Sequence, residues 1–175
     1  MNGNFEQCLA LVLKSEGGFV DNPKDPGGMT NLGVTKAVYE SFVGHEVDEA
    51  TMRALGPDDV TPLYRRNYWD RVVGDQLPAG VDYCVFDAAV NSGVSQGIKT
   101  IQRALNVVVD GIFGQQTIAA INQRDTLELI EQFCEERLQF YQSLSTWDTF
   151  GRGWQARVEN VKETATRMAQ DSATS

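Results

Sequence analysis

Apolar residues recur at helical spacing along most of this chain. Phe5, Cys8, Leu9 and Val12 fall on one face of a first segment. Asn4 suits its N-cap, and Gly17-Gly18 stop it just after Glu16. Residues 19–34 break the rhythm with Pro23, Pro26, Gly27, Gly28 and Gly33. That stretch predicts a loop or a short irregular hairpin rather than a helix. Thr35 reads as the N-cap of a short helix reaching Phe42, and a helical turn follows over Glu49–Leu55. A longer helix is expected from Pro57 to Asp70, bent or split near Pro62. Residues 72–80 are turn-rich.

The second half begins with V-D-Y-C-V-F-D-A-A-V at 81–90, apolar on most sides, as a buried central helix would be. Val94, Ile98, Ile101 and Leu105 share one face of the next helix. Asp110-Gly111-Ile112-Phe113-Gly114 forms a tight turn, then a short helix spans Gln116–Ile121. Asp125 and Glu128 open a helix whose face carries Leu127, Ile130, Cys134, Leu138 and Tyr141. Gly151-Arg152-Gly153 reads as a break before a last helix from Trp154, with Trp154 in the core and a frayed tail. The total is roughly seven or eight helices with no convincing run of alternating strand. The fold class expected is mainly α. Residues 1–80 are expected to form one region and 81–170 a second helical one, packed together as one compact unit.

The length of 175 residues suffices for a core without disulfides or metals. A net charge of −9 argues against a general nucleic-acid partner, which would need a basic face. Cys8, Cys84 and Cys134 are far apart and sit among apolar residues, as buried free thiols do. His45 lies in a polar connector and is expected at the surface. No stretch has the ~20 apolar residues of a membrane span, so no stable membrane insertion is expected. The N-terminus reads without a signal peptide, which predicts synthesis in the cytoplasm.

Chemistry concentrates between Ser15 and Thr35. Glycoside hydrolysis needs a protonated acid beside the leaving oxygen and a second carboxylate to serve water or the sugar. An apolar setting favours the neutral form of a carboxyl group, and a polar one its ion. Glu16 follows Val12 by four residues and so continues the apolar face, which suits the acid. Asp25 sits in a polar turn, which suits the ionised partner, and Thr30 could help hold a water. Asp21 is open between supporting the sugar site and bonding its own turn. A calcium loop starting there fails, because Leu32 stands where the bidentate carboxylate must be. Tyr64, Tyr68 and Trp69 are candidates to stack on sugar rings. Asp87 lies four residues before Asn91 on a mostly apolar helix, so it must be paired or bonded to a buried group.

The run E-G-G-F-x-x-x-x-x-D-P-G-G-x-T-x-x-G-V-T, from Glu16 to Thr35, resembles the signature of glycoside hydrolase family 108. That family comprises the N-acetylmuramidases of phage endolysins and bacterial secretion activators. Tyr68-Trp69-Asp70, F-D-A-A-V-N-S-G at 86–93, L-N-V-V-V-D-G-I-F-G at 105–114 and F-G-R-G-W at 150–154 are similar to later segments of it. The second half resembles the predicted peptidoglycan-binding domain that follows the catalytic one. The resemblance implies a lysozyme-like helical fold with a short turn-rich active-site segment and a C-terminal helical half. It implies Glu16 as the essential acid. Asp25 lies nine positions on, the spacing of the glutamate and aspartate in phage lysozymes, while Thr30 falls one position closer than their threonine. A-V-N-S-G resembles their F-N-x-G segment, which makes Asn91 a candidate substrate contact.

The expected activity is hydrolysis of the β-1,4 bond between N-acetylmuramic acid and N-acetylglucosamine in peptidoglycan, by a monomer without cofactor or metal. A phage endolysin would reach the periplasmic wall through a holin. The other readings are a bacterial secretion-activating muramidase, a non-catalytic wall-binding module and a chitinase-like enzyme.

Overall fold

The computed structural model describes residues 3–24 and 27–175. It divides into two compact units, Phe5–Asn67 and Tyr68–Ser175, the latter with the first residues of the chain. The mainly α class expected from the sequence is what the chain adopts.

In the first unit, α1 (Asn4–Ser15) buries Phe5, Cys8, Leu9 and Val12, the face its spacing predicts. Where the sequence predicts a loop or a short irregular hairpin, a three-stranded antiparallel sheet follows: β1 (Val20–Asp21), β2 (Met29–Asn31) and β3 (Val34–Thr35), in that order. Strands of two or three residues are too short to show alternation, so only their turns were legible. Asn31 pairs with Val34, leaving Leu32 and Gly33 as a two-residue hairpin loop. Both have positive φ, 50° and 75°, as a type I′ turn requires. The buried Asn31 amide then donates to the Met52 carbonyl at 2.8 Å. It thereby satisfies the end of α3 (Glu49–Ala54) and ties that helix to β2.

Thr35 caps α2 (Lys36–Val43) by accepting from Val38 N at 3.2 Å, as its position predicts. α4 (Pro57–Tyr64) contains Pro62 without splitting there. The backbone instead widens into a π-turn segment at Arg65–Trp69. The arginines of this unit cover aromatic faces, with Arg53 4.1 Å above the Phe19 ring and Arg66 4.5 Å above Phe42. His45 is exposed, as expected.

The second unit is a helical bundle. α5 (Val81–Ser92) lies at its centre, buried from Val81 to Ala89. α6 (Val94–Leu105), α8 (Thr126–Gln142) and α9 (Trp147–Ala173) each pack on it, and α8 also packs on both α6 and α9. α7 (Gln115–Asn122) packs on α6. The Asp110-Gly111 turn is held by buried Gln102, whose amide donates to Asp110 Oδ1 at 2.8 Å and accepts from Gly111 N at 3.0 Å. Asp125 caps α8 through Glu128 N at 3.0 Å.

Expectations fail on two helices of this unit. α9 is not broken at Gly151-Arg152-Gly153 but runs through them, and its end is helical to Ala173. Gly151 is there for space, because a Cβ would stand 2.7 Å from the Trp147 ring one turn earlier. On α8, Leu127 is exposed, while Arg137 occupies a core position and is 2% exposed. Its charge disguised it in the apolar pattern. All three cysteines are buried thiols outside any disulfide, as expected. Cys84 of α5 lies within hydrogen-bonding reach of Cys134 on α8, and that bond with burial raises the Cys84 thiol well above its ordinary pKa. Among the described residues no helix is long and apolar enough to cross a membrane.

Candidate active site

Glu16 stands one residue beyond the end of α1, and its N–H still bonds the Val12 carbonyl at 3.2 Å. The apolar row of α1 thus delivers this side chain, half-buried, to the helix end, where free carbonyls concentrate negative partial charge. Its carboxylate lies against the β2–β3 turn. A Cβ on Gly33 would be 2.9 Å from Glu16 Oε2 and 2.6 Å from Tyr64 Oη. Tyr64 in turn donates to the Leu32 carbonyl at 2.8 Å. The hairpin loop, the tyrosine and the acid therefore meet at one point. Only glycine fits at position 33, on grounds of both φ and space.

Thr30 sits in β2 with Val20 and Thr35 as its register partners. Because Asn31 points toward α3, strand alternation turns Thr30 to the opposite face. Asp21 is on β1 opposite Met29 and is exposed. Asp25 lies outside the described residues.

The proposed stacking role fails for two of the three aromatics. Tyr64 and Trp69 are each 1% exposed and offer no free ring face. Tyr64 supports the hairpin. Trp69 donates from Nε1 to Asp75 at 2.9 Å and meets Phe86 edge-on at 5.3 Å, so it belongs to the core of the second unit. Tyr68 is half-buried and keeps its candidacy.

In the second unit Asn91 lies in the last turn of α5, half-buried, and its Oδ1 accepts a short hydrogen bond from the Tyr141 hydroxyl. Tyr141 also receives Arg137 Nε at 3.1 Å and stacks on Trp154, with ring centroids 4.9 Å apart. Trp154 is therefore half-buried rather than in the core. Asp87, fully buried, pairs with Arg137 at 2.7 Å and Arg157 at 3.0 Å, which answers the requirement for a partner. Burial alone would lower the Arg137 pKa, but the Asp87 charge beside it prevails and raises it above the ordinary arginine value.

The sequence reading missed Gly33, Arg137 and Arg157. Gly33 could have been found from N-L-G at the centre of a hairpin. Arg137 could have been found as a cation in register with Ile130, Cys134 and Tyr141 on one helical face.

The profile described as Glycosyl hydrolase 108 matches residues 9–93, and one described as Predicted Peptidoglycan domain matches residues 96–159. The solved structure of Brucella abortus SagA is 40% identical over 99% of each chain, with a TM-score of 0.87. The chain belongs to glycosyl hydrolase family 108. Membership makes it a glycoside hydrolase that acts on peptidoglycan. Among curated proteins none matches. The family 108 match spans Glu16, Gly33 and Asn91, and the peptidoglycan match spans Gln102, Arg137 and Trp154.

Proposed function

We propose that the protein is an N-acetylmuramidase that cuts the β-1,4 bond between N-acetylmuramic acid and N-acetylglucosamine. The observation that carries this reading is the Glu16 carboxylate, half-buried at the end of α1 and seated on the Gly33 turn. Glu16 donates a proton to the bridging oxygen as the bond breaks. Asp25 positions water or stabilises the oxocarbenium-like transition state, and the Thr30 hydroxyl helps hold that water. Asn91 and Tyr68 contact the sugar chain, and Asp21 lies on the strand leading to Asp25. Residues 1–80 carry the chemistry and 81–170 hold the wall polymer.

Likeness to a protein of the bacterium Brucella abortus, over the full length of both chains, favours a bacterial muramidase that opens the wall for secretion over a phage endolysin. In either case the enzyme acts in the periplasm. Mass spectrometry of digested peptidoglycan tests the assignment. Products ending in reducing N-acetylmuramic acid support it, and products ending in reducing N-acetylglucosamine overturn it. Binding to the wall without any product would favour the non-catalytic reading.

A further inference from the structure

Three of the residue pairs that join α5 to α8 are each fifty positions apart. Asp87 pairs with Arg137 at 2.7 Å, and the Tyr141 hydroxyl donates to Asn91. Cys84 meets Cys134 within hydrogen-bonding reach of their sulfurs. A constant offset means that the two helices run side by side in the same direction. Steps of three and four residues, from 84 to 87 to 91 and from 134 to 137 to 141, keep each set on one helical face. The cysteines therefore occupy the same seam as the ion pair, one turn nearer the start of both helices. Parallel helices tilt both Cα–Cβ bonds toward their N-termini, so the two sulfurs meet at one level. Both side chains belong to the core, Cys84 at 0% exposure and Cys134 at 3%.

We propose that Cys84 and Cys134 are a disulfide pair, which closes when the chain folds in contact with a disulfide oxidant and staples α5 to α8. The step is thiol–disulfide exchange. One thiol of the pair loses its proton, and its sulfur attacks the oxidant disulfide. One oxidant sulfur leaves as a thiolate and takes up that proton, and a mixed disulfide remains. The second cysteine then loses its proton, and its sulfur attacks the sulfur of the first. The other oxidant sulfur leaves and takes up the second proton. Two electrons pass to the oxidant, whose disulfide becomes two thiols. The finished bundle seals both cysteines, so exchange takes place before α8 has packed onto α5. A link between positions fifty apart closes a long loop, and the longer the loop, the more it restricts the unfolded chain. An oxidising compartment supplies such an oxidant. Only that supply rests on the periplasmic muramidase reading, and the pairing rests on the bundle itself.

The test refolds the full chain from urea in a buffer of reduced and oxidised glutathione, so the oxidant is supplied and localisation plays no part. Acid quenching, alkylation of the remaining thiols in denaturant and peptide mapping by mass spectrometry then locate any link. The main product should be monomeric, linked between Cys84 and Cys134 and alkylated at Cys8. Alkylation at all three cysteines, a link through Cys8 or a lasting glutathione adduct in the main product would overturn the proposal. The linked protein should melt about 10 °C above the same chain refolded in reductant. Cys84→Ala should show no such difference between the two buffers. Equal melting temperatures for linked and reduced wild type would overturn the staple. Should Cys84→Ala fail to fold, the mapping and melting of the wild type decide alone. Wall digestion by the linked protein is run beside these measurements. No cleavage with the link in place would remove the muramidase reading and leave the disulfide standing, and cleavage without the link would do the reverse.

Discussion

Gly33 and Glu16 occupy one small space: a Cβ on the glycine would fall 2.9 Å from the Oε2 of the acid. The turn residue and the glutamate are seventeen positions apart in sequence, and the β2–β3 hairpin brings them together. The acid is thus located by backbone on one side and by the apolar face of α1 on the other.

Gly33→Ala should therefore damage activity more than stability. The left-handed φ of 75° costs an alanine about 1–2 kcal/mol. The methyl group would also displace the carboxylate, and a shift near 1 Å costs about 10²-fold in rate. Thermal melting beside a wall-clearing assay checks both. Activity within twofold of wild type would mean that the contact does not locate the acid.

Asn31→Ala should loosen the same site from behind. It removes the donor that satisfies the Met52 carbonyl at the end of α3. A buried acceptor left without its partner costs about 1–3 kcal/mol. Urea unfolding measures the loss, and hydrogen exchange should place it in β2 and α3.

Asp87→Asn should be among the most destabilising single changes in the second unit. It leaves Arg137, 2% exposed, without its counter-charge. Breaking a buried pair by removing one partner costs about 3–5 kcal/mol. Replacing Asp87 and Arg137 together with apolar residues should recover much of that, and denaturant midpoints of the three variants give the comparison.

Asp82 carries a pH dependence of its own. Burial raises its pKa, against the lowering effect of bonds from Asn4, Tyr83 N and Gly80 N. A carboxyl whose folded pKa lies above its unfolded one stabilises the fold below the unfolded value. That contribution is lost as pH rises through the folded value. Between neutral pH and the ordinary carboxylate range, acidification should therefore stabilise the wild type relative to Asp82→Asn. Melting temperatures across that range test the sign, and a constant gap between the two proteins would contradict it.

The helices and the place of Glu16 just beyond α1 were legible because both depend on local spacing. Val12 and Glu16 are one turn apart, and Thr35 and Asp125 announce their helices by cap chemistry. What stayed hidden depends on residues distant in sequence. Tyr64 and Trp69 looked like a sugar-stacking rim, yet burial is decided by packing that a sequence pattern does not contain. Arg137 interrupts an apolar face, and only Asp87, fifty positions earlier, explains it. Gly151 reads as a helix breaker until the Trp147 ring is placed beside it.

Digestion of purified peptidoglycan by the wild type and by Glu16→Gln at equal concentration, followed by mass spectrometry, tests the central claim most directly. The wild type should release fragments with reducing N-acetylmuramic acid ends, and Glu16→Gln, folded to the same melting temperature within error, should release none above the blank. Release of those fragments by Glu16→Gln at the wild-type rate would contradict the account.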